Sequence, residues 1–251
     1  MSNVVGQYDF APAIKQPSIT PYLIRGPNAE RFLEDFNRVV DAQYQGNKNL
    51  KVLALRDVEG VPTVVGSNPL ILPIVHSLVS PARRVGLPED LQRTLNDGDT
   101  LGIRGNHYVD FGFALDFSGK HHEMALDVFQ QLPAELRDVK NLPGALVGYG
   151  LKNFDKGKYG VSPVIGKQTQ LRPSSVLSQP TGRFSDKDVS LEFGLPSKLG
   201  EGERTMFTAA QGKPSIDNLG LLGLFLNGSR SLISSIEVLA SSDGNGRVVL
   251  F

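Results

Sequence analysis

The stretch Tyr149-Gly150-Leu151-Lys152-Asn153-Phe154-Asp155-Lys156-Gly157-Lys158-Tyr159-Gly160 sets lysines among aromatics and glycines. Ammonium groups contact phosphates, aromatic faces stack on bases, and glycine lets the backbone approach closely. The mixture suits single-stranded nucleic acid or another polyanion. The surrounding window agrees: from Lys140 to Ser185 the basic residues are Lys140, Lys152, Lys156, Lys158, Lys167, Arg172 and Arg183, and the acid is Asp155. The residues expected to carry such contact are Lys152, Phe154, Lys156, Lys158, Tyr159, Lys167 and Arg172. The competing reading is a solvated loop whose Tyr149, Phe154 and Tyr159 pack back into the core.

A second set of chemistry-capable side chains is His107, Asp110, Asp116, His121, His122, Glu123 and Asp127. If Gly119-Lys120 turns a hairpin, Asp116 faces Glu123 and Gly112 faces Asp127. Carboxylates gathered on one sheet face repel one another and favour a divalent cation such as Mg²⁺ or Ca²⁺, which could assist hydrolysis. The alternative is a solvated face kept wet by its acids. A helix over 122–132 would dissolve the constellation, and the Glu, Met, Ala, Leu and Gln content of that stretch leans helical.

Other chemistry is excluded by type or spacing. No cysteine is present, so disulfides, thiolate metal sites and thiol catalysis are ruled out. Gly160 and Gly166 are separated by five residues and Gln168 follows Lys167, which fails the phosphate-cradling loop. Gly148-Tyr149-Gly150 lacks the third glycine of a dinucleotide loop. His122-Glu123 has Leu126 where a zinc-protease helix needs its second histidine. No cofactor is expected.

The elements that must position these residues follow from periodicity. Residues 1–27 read as an extended arm, with Pro12, Pro17, Pro21 and Pro27 spaced among apolar residues. The arm either packs along its own domain or straps onto another copy of the chain. Asn28 can cap a helix whose Ala29, Phe32, Leu33, Phe36, Val39 and Val40 recur at helical spacing, with Glu34 and Arg38 paired on its wet side. Leu50–Arg56 and Val61–Val65 read as a hairpin. Asn68-Pro69 resembles a helix start, and Pro88–Asn96 a short helix. His107–Phe117 alternates, with Val109, Phe111, Phe113, Leu115 and Phe117 on one face.

From Asn141 onward glycine, serine and proline become dense. Short strands are expected near Ala145–Leu151, Lys167–Arg172, Val189–Leu195, Arg204–Ala209 and Leu232–Ala240. A closing hairpin is expected around Ser242–Gly246, returning along Arg247–Phe251. The chain thus divides into the arm 1–27, an α+β portion 28–140 and a β-rich portion 141–251, or into one continuous domain 28–251 after the arm.

The fold class is α+β, with helices mainly in the N-terminal half and a sandwich or barrel-like C-terminal half. Basic and acidic residues number 26 each, so no global field steers the chain to nucleic acid or membrane, and any such affinity must be local. The longest apolar run, Pro69–Val79, is about half of what a bilayer requires. The expected protein is cytoplasmic and non-membrane: a non-catalytic binding or assembly protein that meets a polyanion through its basic segment and forms a homo-oligomer through its arm. The alternatives are a divalent-cation-dependent hydrolase using residues 107–127 and a purely structural subunit.

Overall fold

The computed structural model describes residues 21–98, 107–236 and 238–251. Most of the proposed arm, residues 1–20, lies outside the described residues. Fourteen strands are described: β1 (Tyr22–Leu23), β2 (Ala54–Val58), β3 (Val61–Val65), β4 (Tyr108–Asp116), β5 (Gly144–Val147), β6 (Gly150–Asn153), β7 (Val161–Val164), β8 (Gln170–Pro173), β9 (Gly182–Phe184), β10 (Arg204–Thr208), β11 (Gly220–Asn227), β12 (Leu232–Ile236), β13 (Gly246–Arg247) and β14 (Val249–Leu250). The helices are α1 (Asn28–Tyr44), α2 (Leu72–Val79), α3 (Pro88–Asn96) and α4 (His122–Gln131). All four precede residue 132, and the remainder is mostly strand and turn, so the α+β class and its polarity hold. Among the described residues no helix is long and apolar enough to cross a membrane.

The centre is a curled eight-stranded sheet in the order β8-β5-β4-β11-β12-β10-β9, with β13 added parallel to β4. Here β4 lies between β5 and β11, so a strand from before residue 140 pairs with strands from after it. One face carries a core built from Phe36 and Val40 of α1, Ile74 and Val75 of α2, Met124 and Val128 of α4, and Phe113 and Leu115 of β4. The other carries Leu91 and Leu95 of α3, Phe184, Met206, Leu222, Leu224 and Leu226. Hairpins β2–β3 and β6–β7 stand beside this sheet.

The alternation expected along β4 fails in the middle, and the register gives the reason. Gly112 pairs with Leu224, but the next pair is Asp110 with Phe225, leaving Phe111 as an extra residue. Such a bulge breaks the two-residue period. Phe113, Leu115 and Phe117 therefore join the first core while Val109 and Phe111 join the second. Because both faces are covered, Asp110 and Asp116 are buried rather than solvated, which corrects the wet-face expectation.

Other local expectations also shift. Pro27, not Asn28, occupies the helix cap, and Arg38 pairs with Asp35 rather than Glu34. Asn68 does cap, its side chain accepting from Ile71 N. The closing pair is no hairpin: β12 pairs with β11 and β10, β13 with β4, and β14 with β1. Bonds across the fold win because a two-stranded end would leave its apolar Val248, Val249 and Phe251 uncovered, whereas here they are buried. The expected strand Val189–Leu195 is a tight loop, closed by Gly194 N donating to Ser190 O at 2.7 Å.

Gly194 sits at φ +67°, and a Cβ there would lie 2.1 Å from the carbonyl carbon of Pro88. Gly194→Ala is therefore expected to cost about 2–3 kcal/mol through combined strain and overlap. Urea unfolding would read it, and a change under 0.5 kcal/mol would show that this loop can swing free of α3.

Candidate polyanion-binding patch

The chain between β6 and β7 forms a closed turn. Phe154 N donates to Gly160 O at 2.9 Å, and Gly160 N donates to Gly157 O at 3.0 Å. Gly157 is needed there because Phe154 lies over it: a Cβ would meet Phe154 Cδ1 at 2.8 Å and Met124 Cγ at 3.2 Å. The turn is anchored through Tyr159. Its carbonyl accepts from Asn47 Nδ2 at 2.7 Å and Asn49 Nδ2 at 3.3 Å, and its hydroxyl accepts from Leu239 N at 3.0 Å. The His121 ring stands 5.3 Å from the Tyr159 ring.

These contacts gather three separate surface segments around one buried tyrosine. Lys156 and Lys158 project from the turn, Lys48 lies between the two asparagines that grip it, and Lys120 precedes His121; all four lysines are exposed. Within these segments the opposing carboxylate is Asp155. Lys158 Nζ also sits 5.6 Å from the Tyr159 ring centre.

The seven residues singled out in the sequence fare differently. Lys156 and Lys158 are exposed on the turn. Lys152 borders it but is engaged, its Nζ donating to Asp127 Oδ1 at 2.8 Å. Phe154 is half-buried, and Tyr159 is 3% exposed, so neither presents a free face for stacking. Lys167 falls in the turn before β8, at the opposite end of the β6–β7 hairpin. Arg172 is buried and holds Glu89 through two bonds of 2.6 and 2.9 Å. Lys48, Lys120 and His121 join the patch without a sequence signal, because side-chain amides bonding to a distant carbonyl leave no periodic trace.

The 107–127 cluster separates. Residues 122–131 are helical, so Glu123 and Asp127 do not oppose Asp116 across a hairpin. Asp116 accepts from Ser118 Oγ, Ser118 N and Gln211 Nε2, and burial pushes its carboxyl up. Asp127 accepts from Lys152, Ser162 Oγ and Gln131 Nε2. His122 Nδ1 is 3.0 Å from Leu219 O. Among the described residues no three His, Asp or Glu side chains converge.

Comparison with protein-family models, curated proteins and solved structures finds no match, so a functional reading rests on this geometry.

Proposed function

We propose that the chain is a non-catalytic binding protein that holds the phosphate backbone of a nucleic acid at this patch. The observation that supports the reading is the meeting, around Tyr159, of the three segments that carry the exposed Lys48, Lys120, Lys156 and Lys158, with Asp155 as the acid within those segments. With Phe154 and Tyr159 turned inward, the contact is electrostatic. It reads charge spacing and not bases.

The test is fluorescence anisotropy with labelled oligo(dT), oligo(dA) and a duplex at two salt concentrations. Oligo(dT) and oligo(dA) are expected to bind alike, because no stacking face distinguishes them. Changing Lys48, Lys156 and Lys158 together to Ala is expected to lower the steepness of log K against log salt by about 2 for single strands. All three are exposed, so the fold should be unaffected. Absence of binding at low salt, or an unchanged salt slope in the triple variant, would remove the proposal.

A further inference from the structure

At the bulge, β4 turns Asp110 toward the first core. Its side chain is 4% exposed, and its Oδ2 has no hydrogen-bond partner. The Ser67 hydroxyl, itself fully buried and without a partner, faces the carboxyl without the alignment of a formed bond. The Ser67 hydroxyl is thus the one side-chain donor shown beside this carboxyl, and it stands unaligned, so a carboxylate here would be poorly satisfied.

The surroundings favour the protonated carboxyl. Tyr149, bonded to Pro69 O at 2.7 Å, and Tyr108 lie near Asp110, and burial raises both phenols above 10. His107 is held below its ordinary 6.5 by burial and by Arg247. Arg247 is turned to the carbonyls of Gly244 and Gly246, with Arg56 and Asp243 around it. Across the sheet the neighbour of Asp110 is Phe225, and the 67–69 segment supplies only Ser67, Asn68 and Pro69. Among the described residues no cation offsets a carboxylate here, so the neutral acid is favoured. When protonated, its O–H can turn to donate to Ser67 Oγ, and on ionisation the proton passes to water.

The same spot is where the end of the chain is fastened. Gly66 N donates to Gly246 O at 2.9 Å, and Ser67 N donates to Ser242 Oγ at 2.8 Å. Tyr108 OH donates to Ser67 O, and Asp243 N donates to Tyr108 OH. A Cβ on Gly246 would lie 2.6 Å from Ser67 N and 2.8 Å from Tyr108 Oη, so the strap has no slack. Beyond it, β14 holds β1, and Phe251 exchanges backbone bonds with Arg84.

We propose that Asp110 is the trigger of a proton-operated latch: protonated, it closes the 66–69 segment and β4 around residues 242–251, and its ionisation releases that strap. Asp110, raised to about 7, changes charge between pH 6 and 8, and the two phenols are shifted up and away from that window; His107, lowered from the ordinary histidine value, is the same in the unaltered chain and in Asp110→Asn, so the variant isolates the carboxyl. Release would also take the ladder partner from β1, which keeps its ties to β3 through Val64 N donating to Ile24 O at 2.8 Å and Gly26 N donating to Pro62 O at 2.7 Å.

Hydrogen exchange of the intact chain, corrected for intrinsic chemistry, tests it. Opening of residues 242–251 and of Gly66 is expected to rise about tenfold from pH 6 to 8, while amides of α1 stay constant. Asp110→Asn should abolish the rise. Equal changes in α1 and the strap, or a rise that persists in Asp110→Asn, would overturn the latch. Should that variant fail to fold, ¹³C titration of aspartate carboxyls in the unaltered protein decides: a group ionising near pH 7 supports the latch, and full ionisation at pH 5 ends it.

Discussion

Glu89→Ala is expected to destabilise the fold by about 3–5 kcal/mol, since it strands a buried guanidinium. The Arg172 side chain is 4% exposed and Glu89 12%. Besides the two Glu89 bonds, Arg172 Nη1 donates to Phe193 O at 3.2 Å, and Nε and Nη2 donate to Gln170 Oε1 at 3.0 and 2.9 Å. Those neutral acceptors remain in the variant but cannot offset a full charge taken out of water. The pair also joins the first turn of α3 to the edge strand β8, so its loss loosens two elements. Replacing both partners by apolar residues (Glu89→Leu with Arg172→Met) should cost less than Glu89→Ala alone, because no unpaired charge is left. Urea unfolding with unchanged m-value measures each term. A Glu89→Ala cost below 1 kcal/mol would mean that water reaches Arg172 and that the pair behaves as a surface bridge. The same experiment separates Arg172 from the lysine patch: its loss should be felt in stability and leave the salt slope of oligonucleotide binding alone.

What could be read from the sequence follows from how local each signal is. Helix α1, the β2–β3 hairpin, the Asn68 cap and helix α3 were legible because periodicity, turn residues and caps act within a few positions. Strand β11 left no such mark. Gly220–Asn227 is a continuous apolar run buried on both faces, so it lacks the alternation that betrays a half-exposed strand. Its presence next to β4 is what buries Asp110 and Asp116 and turns an apparent wet face into core. The β4 bulge is likewise set by its partner and invisible in Val109–Phe117 taken alone.

The candidate site was half legible for the same reason. Charge density flagged Lys156 and Lys158, but composition cannot separate an arginine that faces water from one that faces a glutamate 83 positions away. Nor can it show that Phe154 and Tyr159 are the turn's own anchors. Aromatics between lysines look alike whether they await a base or already sit on Met124 and His121.

Asp110→Asn is expected to remove the fall in stability that Asp110 causes as pH rises. Burial raises the native carboxyl from 3.8 to about 7. Below about 3.8 both folded and unfolded chains hold the proton, and Asp110 contributes no slope. Between 3.8 and 7 only the native state holds it, so stability falls as pH rises, and above 7 the loss is complete. Three units at 1.36 kcal/mol each set a scale of about 4 kcal/mol, which relaxation and water entry reduce to about 2–4. Asparagine keeps the shape and an oxygen acceptor, and its amide can donate to Ser67 Oγ, without a charge to desolvate. Two of those three units lie between pH 5 and 7, so the variant should gain about 1.5–2.5 kcal/mol on the unaltered protein between pH 5 and pH 8, read from urea midpoints at both values. Parallel stability curves would show that the carboxyl is already solvated or ionised. If the curves diverge as expected, the fold carries at the centre of its main sheet an acid that costs stability above neutrality, where an amide of the same shape would not. Its contribution there lies in the proton, consistent with a strap that closes when the proton is bound.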